Sequence, residues 1–81
     1  MSWTVYILEC VDGTLYTGIT NNFSKRLADH ELGKGAKYTK GRGPFKVLYK
    51  EGVSSRSDAS KREMFIKSLS RKKKLELIGY S

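Results

Sequence analysis

Four side chains in the first third of the sequence carry groups that can bind anions or move protons. Tyr6 and Tyr16 lie ten residues apart across a turn, and Arg26 and His30 follow four residues apart, which is about one turn of a helix. A guanidinium pairs well with phosphate oxygens, and an imidazole changes its charge near neutral pH. Ordinary packing in a strand or a helix also explains each residue singly. Whether they form one site depends on the elements that carry them.

The turn between two predicted strands decides whether the tyrosines can meet. Residues 3–10 and 14–20 are rich in β-branched and aromatic side chains and predict an antiparallel pair. The Asp-Gly pair between them suits either a two-residue type I′ turn or the end of a three-residue loop with Gly13 left-handed. Side chains alternate along a strand, so the first turn separates the tyrosines, whereas the second puts them on one face with Tyr6 opposite Gly18. A shared tyrosine site therefore requires the odd-length loop, which would leave the Tyr6 ring uncrowded.

The remaining elements follow from periodicity and helix caps. They are a helix over 21–32, a glycine-rich loop over 33–44, a strand over 45–53, a helix over 54–70 and a last helix over 71–80. Asn21 or Asn22 suits the first N-cap, Ser55 with Asp58 suits a capping box, and Ser70 suits the last N-cap. The predicted order is β-β-α-β-α-α: an α/β fold with a three-stranded antiparallel or mixed sheet flanked by helices.

The apolar pattern predicts which faces meet. In the first helix Phe23 and Leu27 lie four residues apart and are expected to face the sheet. One face of the strand pair carries a good set of core residues, and the second long helix carries four apolar residues that are expected to pack on the sheet. These are Val5, Ile7, Leu15 and Ile19 on the strands, and Met64, Phe65, Ile66 and Leu69 on the helix.

Charge is the strongest compositional signal. The 81 residues, predicted to form one domain over 1–81, carry 16 Lys and Arg against eight Asp and Glu, a net charge of +8. Such an excess favours nucleic acid as a partner over a merely soluble basic surface. Six basic residues and no acidic one lie over 33–50, interleaved with three aromatic residues, which suits phosphate contact with base stacking. The candidate nucleic-acid-binding residues are Lys34, Lys37, Tyr38, Lys40 and Arg42. The basic run over 71–74 is interpreted as a solvated helix start.

Composition also bears on location. The single cysteine, Cys10, excludes an internal disulfide, and no zinc-ligand spacing accompanies it. The sequence has no basic and apolar signal segment and no apolar stretch of about 20 residues. We therefore expect a cytoplasmic protein without membrane contact.

The order of these motifs resembles that of the GIY-YIG nuclease superfamily. TVY at 4–6, YTG at 16–18, NNFSKRLADH at 21–30, the glycine-rich segment 35–44 and Glu63 carry the resemblance, which covers nearly the whole chain. It is strongest to small, single-domain bacterial members to which no cellular role is assigned. The chain also resembles the nuclease domain of the bacterial excision-repair incision subunit and nucleases that cut branched DNA.

The resemblance implies a phosphodiesterase that uses one Mg²⁺ or Mn²⁺ ion. Glu63 matches the metal-binding glutamate, and Arg26 matches the arginine that stabilises the transition state. Tyr6 and Tyr16 match the two motif tyrosines, and we expect Tyr6 to act as base and Tyr16 to position the substrate. Because an unperturbed phenol has a pKa near 10, cations must lower it. His30 matches a position that orients a phosphate or shuttles a proton.

The sequence departs from the motif at a few positions. Thr4, Val5 and Thr17 stand where the two name motifs have Gly, Ile and Ile. Gly18 remains, and a glycine there allows close approach of the backbone beside a site. Tyr38 falls where relatives carry a histidine or tyrosine. The asparagine near the C-terminus of some members has no clear counterpart.

Three functions from different classes are compatible with these residues. The first is a metal-dependent endonuclease on DNA that selects structure rather than sequence, because 81 residues leave no room for a separate reading module. The second is a non-catalytic nucleic-acid-binding module with the same fold. The third is a small adaptor for a protein partner, whose identity the sequence does not indicate. The presence of Glu63 favours the first.

Overall fold

The computed structural model describes residues 2–79 and has the predicted order of elements. These are β1 (Trp3–Glu9), β2 (Leu15–Thr20), α1 (Phe23–Glu31), β3 (Lys46–Val53), α2 (Arg56–Ser68) and α3 (Arg71–Ile78). One 3₁₀ turn, Lys37–Thr39, interrupts the long connection between α1 and β3. Tyr80, which the sequence places in the last helix, lies outside the described residues. In the part of the chain that is described, no helix has the length and apolar character needed to cross a bilayer.

The three strands form an antiparallel sheet with β1 in the centre and β2 and β3 at its edges. Tyr6 pairs with Gly18, which confirms the register of the three-residue loop. The backbone N–H of Cys10 donates to the carbonyl of Thr14 over 2.8 Å, and Gly13 adopts a φ of +84°. This left-handed conformation is accessible to glycine at little cost. The loop therefore puts both motif tyrosines on one face of the sheet.

The three N-cap residues are those that the sequence predicts, although the Asp58 carboxylate accepts from the Ser54 hydroxyl and not, as in a capping box, from Ser55. Asn22 accepts from the backbone N–H of Lys25 over 3.2 Å and starts α1. Ser55 and Ser70 start α2 and α3 in the same way. Each cap satisfies a backbone N–H that has no partner within its own helix. The start of α1 matters most for function, because it fixes which side chains of the helix face the sheet.

One face of the sheet carries the apolar core. Val5 and Ile7 of β1 are fully buried against Ala59 and Ile66 of α2. Leu15 and Ile19 pack around this cluster as predicted, together with Leu77 and Ile78 of α3. The core accounts for the attachment of both C-terminal helices to the sheet.

The prediction for two apolar residues of α2 was wrong. Met64 is 70% exposed and Phe65 is 51% exposed. The stripe that faces the sheet follows helical spacing from Ala59 through Arg62 to Ile66, and Met64 and Phe65 lie beside that stripe. Arg62 is the polar member of the stripe and is partly buried. It is paired there, since its Nε lies 3.0 Å from a carboxylate oxygen of Glu51 in β3.

Candidate active site

A chain of hydrogen bonds lies between the sheet and α1. The phenol oxygen of Tyr6 is 2.9 Å from Nε2 of His30, and Nδ1 of His30 is 2.8 Å from Oγ1 of Thr39. The Thr39 hydroxyl donates its proton to the carbonyl of Ala36 over 2.9 Å. It must therefore accept from Nδ1–H of His30, which leaves Nε2 as the acceptor for the Tyr6 hydroxyl. This arrangement fixes a neutral imidazole in one tautomer, with the phenol proton pointing at it.

Two glycines make room for this chain. A Cβ at Gly18 would lie 2.6 Å from the phenol oxygen of Tyr6, and one at Gly35 would lie 2.8 Å from Cε1 of His30. Tyr6 is only 1% exposed, so the predicted position opposite Gly18 is confirmed but the ring is tightly enclosed rather than uncrowded. Gly35 and Thr39 did not emerge from the sequence as site residues. Their only signal was their place in a glycine-rich loop.

Burial sets the charge of the buried pair. Desolvation raises the pKa of Tyr6 to about 12, although the nearby guanidinium of Arg26 opposes the rise. Desolvation also lowers the pKa of His30, and the positive charge of Arg26 lowers it further. Tyr6 therefore keeps its proton and His30 stays neutral at pH 7.

Arg26 joins the two tyrosines electrostatically. Desolvation lowers its pKa, but its interactions with the phenols of Tyr6 and Tyr16 outweigh that and raise the pKa overall. The sequence spacing is thus confirmed in space, since Arg26 and His30, one turn apart on α1, both face the tyrosines. A permanent positive charge near two phenols suits an anion bound between them.

Tyr16 forms the open side of the site. Its ring lies 5.3 Å from that of His30 and stacks on Tyr38 with centroids 5.9 Å apart. Tyr38 in turn carries the guanidinium of Arg42, 4.7 Å from the ring centroid. The long connection therefore reaches the tyrosine pair through Tyr38, a residue that the sequence placed among nucleic-acid contacts.

The other candidate nucleic-acid contacts differ in their surroundings. Lys34, Lys37 and Lys40 are exposed. Arg42 forms an ion pair with Asp12, and its carbonyl accepts from the backbone N–H of a residue in the β1–β2 turn over 2.8 Å. The end of the basic loop is thus fastened to the hairpin, whereas its three lysines face solvent.

Glu63 approaches from the opposite face of the sheet. Its side chain is 21% exposed, and Oε2 lies 3.2 Å from Nζ of Lys67. Its negative charge is near enough to contribute to the raised pKa of Tyr6, as the smallest of the causes after desolvation. Lys67 and Tyr16 line the same cavity, so Glu63 lies next to the open side of the site.

Comparison with known proteins identifies the family. The model of the GIY-YIG catalytic domain matches residues 2–76. The chain belongs to the GIY-YIG family. The resemblance that the sequence motifs indicated is thereby confirmed, and with it a nuclease type of domain.

The GIY-YIG domain has similar relatives in several organisms. A UPF0213 protein of Oceanobacillus iheyensis is 57% identical over 76 residues, covering 94% of this chain and 88% of the relative. Among solved structures, the solution NMR structure of a UPF0213 protein from Bacillus halodurans has a TM-score of 0.63 at 47% identity, covering 96% of this chain and 83% of that one. The solution NMR structure of a protein from E. faecalis has a TM-score of 0.65 at 36% identity, covering 95% and 83%. These structures confirm the fold.

The metal that the GIY-YIG resemblance implies would depend on one carboxylate. Among the described residues, no three His, Cys, Asp or Glu side chains cluster into a complete ligand set. Glu63 is a partly buried carboxylate, and its partner Lys67 lines a cavity that is open to solvent. Mg²⁺ commonly binds one or two carboxylates and completes its shell with water and phosphate oxygens. The residues present therefore fit a weakly held hard cation that binds together with a phosphate.

Proposed function

We propose that this GIY-YIG domain is a metal-dependent endonuclease that hydrolyses phosphodiester bonds in DNA and selects the structure of the strand rather than its sequence. The observation that carries the proposal is the hydrogen-bonded set of Tyr6, His30 and Thr39 with Arg26 beside the partly open phenol of Tyr16. Buried polar groups that serve packing alone do not need a guanidinium whose charge acts on two phenols. The net charge of +8 supports a polyanionic substrate.

Burial assigns different parts to the two tyrosines. Tyr6 is enclosed, has a pKa raised to about 12 and donates a hydrogen bond to His30, so it is poorly placed to take a proton from an attacking water. Tyr16 lines a cavity open to solvent. Exposure thus supports Tyr16 as the phenol that contacts the reacting groups, the reverse of the preference drawn from the sequence.

The other residues act on the substrate or on Tyr16. The guanidinium of Arg26 stabilises the negative charge that develops on the phosphate. Tyr6 and His30 are positioning residues for Tyr16, because the hydrogen-bonded His30 ring packs against the Tyr16 ring with centroids 5.3 Å apart. Glu63 would hold the metal, which would supply positive charge to neutralise the scissile phosphate.

A cleavage assay tests the proposal directly. Labelled single-stranded, duplex, flap and four-way-junction DNA are incubated with the protein in Mg²⁺ or Mn²⁺. We expect cleavage that falls by about 100-fold or more in Glu63→Gln and in Arg26→Ala, because each removes a group that acts on the transition-state charge. Glu76→Gln is the matched control, since Glu76 is a half-exposed carboxylate of α3 that pairs with a lysine.

Two further variants separate the tyrosines. Tyr16→Phe is expected to lower the cleavage rate and leave DNA affinity unchanged, whereas Tyr6→Phe is expected to change mainly stability. Cleavage that survives both Glu63→Gln and Arg26→Ala would come from a contaminating nuclease and would refute the catalytic assignment. DNA binding without cleavage would instead support the non-catalytic nucleic-acid-binding module.

A cytoplasmic location stays a prediction, supported by the single, buried Cys10.

A further inference from the structure

A groove runs along the outer edge of β2. Two adjoining cavities of about 270 Å³ and 230 Å³ share Leu15, Tyr38 and Lys74 among their lining residues. The larger one is also lined by Tyr16 and Lys67. We call this pair of cavities the β2 groove. One end of it therefore begins at the phenol that the proposed nuclease presents to its substrate.

The two walls of the β2 groove have different chemistry. One wall is aromatic, since Tyr16 and Tyr38 stack on each other with planes inclined by 23°. The other wall comes from α2 and α3 and is cationic, with Lys67 and Lys74. Among the described residues that line the groove there is no carboxylate. Aromatic rings opposite lysines suit an anionic ligand that also presents flat or apolar groups.

The position of the cationic wall is fixed by hydrogen bonds. Ser70 caps α3, and the guanidinium of Arg71 donates to the carbonyl of Gly13 in the β1–β2 turn over 2.9 Å. The first turn of α3 is thus attached to the hairpin, and Lys74 follows one turn later, half-buried. The run over 71–74 is accordingly more than the solvated helix start that the sequence suggested, because Arg71 anchors the helix and Lys74 lines the groove.

Lys67 connects the groove to the proposed metal carboxylate. It pairs with Glu63 at 3.2 Å, and its side chain is 54% exposed. Because this exposure makes the pair weak, a phosphate in the groove can compete with Glu63 for the ammonium group without a metal. The flexible side chain of Lys67 can therefore leave the Glu63 carboxylate and contact a phosphate in the groove.

We propose that the β2 groove holds the backbone of one nucleic-acid strand next to the scissile bond, with Lys67 and Lys74 contacting its phosphates. The proposal rests on the proposed function for the position of the cut, but the binding itself needs no catalysis. It adds a second contact surface to the lysines of the 34–42 loop, and Tyr38 of that loop also lines the groove. Since β2 is an edge strand, nothing in the sheet obstructs access along this edge.

Binding in the absence of metal tests the proposal. A fluorescein-labelled 12-nucleotide single-stranded DNA is titrated with the full chain in EDTA at several salt concentrations, and anisotropy gives the affinity. Each lost phosphate contact lowers the slope of log K against log salt by about 0.7 for a single strand. We expect that reduction in Lys67→Met and again in Lys74→Met, with recovery in Lys67→Arg. Lys72→Met, on the same helix as Lys74 but outside the groove lining, is expected to change the slope little.

Amide spectra of the ¹⁵N-labelled protein locate the contact. Shifts at Leu15, Thr17 and Tyr38 on adding the oligonucleotide support the groove, whereas shifts confined to 34–42 with unchanged slopes overturn it. Polyglutamate that shifts the same amides with equal affinity overturns it in favour of an acidic protein segment, and absence of DNA binding also overturns it. Binding in the groove without cleavage in Mg²⁺ would support this proposal and refute the proposed nuclease function. Full cleavage by the Lys67→Met, Lys74→Met double variant would support the nuclease function and refute the groove.

Discussion

The two faces of the sheet are stabilised in different ways. Against α2 and α3, Val5 and Ile7 are buried among aliphatic side chains, and burial of apolar area requires no particular orientation of one atom toward another. Against α1, Tyr6, His30 and Thr39 are buried just as deeply, but they are linked by directional hydrogen bonds. The first face can therefore lose volume and keep its arrangement, whereas the second must keep both its shape and its donors and acceptors.

Removing volume from the apolar face gives the largest expected loss of stability. Ile66→Ala deletes a fully buried side chain of the core and is expected to lower the free energy of unfolding by about 2–5 kcal/mol, measured by urea denaturation. Cleavage per folded molecule should remain near that of the wild type, because the hydrogen-bonded face is untouched. A proportionally larger loss of cleavage at temperatures where the variant is folded would show that the two faces are coupled.

Adding one carbon to the hydrogen-bonded face is expected to lower stability less than Ile66→Ala does and to lower the cleavage rate more. Gly18→Ala places a Cβ 2.6 Å from the phenol oxygen of Tyr6 and 2.9 Å from a ring carbon of Tyr16, which forces both rings to move at a cost of about 1–3 kcal/mol. Urea denaturation gives the stability and the cleavage assay gives the function.

The matched control for that variant is Gly52→Ala in β3. A Cβ there meets nothing within 4 Å and Gly52 has no left-handed conformation, so we expect a change within about 0.5 kcal/mol. If the two alanine variants behave alike, the close fit over Gly18 has no energetic importance.

The apolar face was also the easier one to predict from the sequence, although not in full. Val5, Ile7, Leu15 and Ile19 follow the two-residue period of strands, and the caps of all three helices are short local patterns. The apolar pattern wrongly predicted that Phe65 packs on the sheet. The stripe of α2 that faces the sheet instead includes Arg62, whose ion-pair partner, Glu51, lies in β3. A sequence pattern that counts only apolar residues cannot include that ion pair.

The polar face could be predicted only where residues repeat a local rule. The spacing of Arg26 and His30, and the dependence of the tyrosine pair on loop length, follow from helix and strand geometry. Thr39 and Gly35 come from a loop whose path is set by contacts distant in sequence, and loop residues carry no periodicity. The cationic wall of the β2 groove likewise requires α3 to be placed by the bond from Arg71 to the hairpin.

The smallest expected effect is the pH dependence of the polar face. His30 is the single histidine of the chain. Desolvation, assisted by the charge of Arg26, holds its folded-state pKa below the ordinary 6.5, although Asp29 and Glu31 act in the opposite direction. Its folded form therefore resists protonation while the unfolded chain takes up a proton, so this contribution to stability is complete above about pH 6.5 and is lost as the pH falls.

Urea denaturation of the wild type and of His30→Gln between pH 7.5 and 5.5 isolates that contribution from the carboxylates, which titrate mainly at lower pH. We expect the wild type to lose stability as the pH falls through this interval and the variant to lose less. Thr39→Val removes the acceptor of Nδ1–H and is expected to lower stability throughout, because it leaves a buried donor without a partner. Equal slopes for wild type and His30→Gln would mean that His30 is protonated as easily inside the fold as outside. In that case the neutral tautomer inferred from the hydrogen bonds to Tyr6 and Thr39 would be wrong.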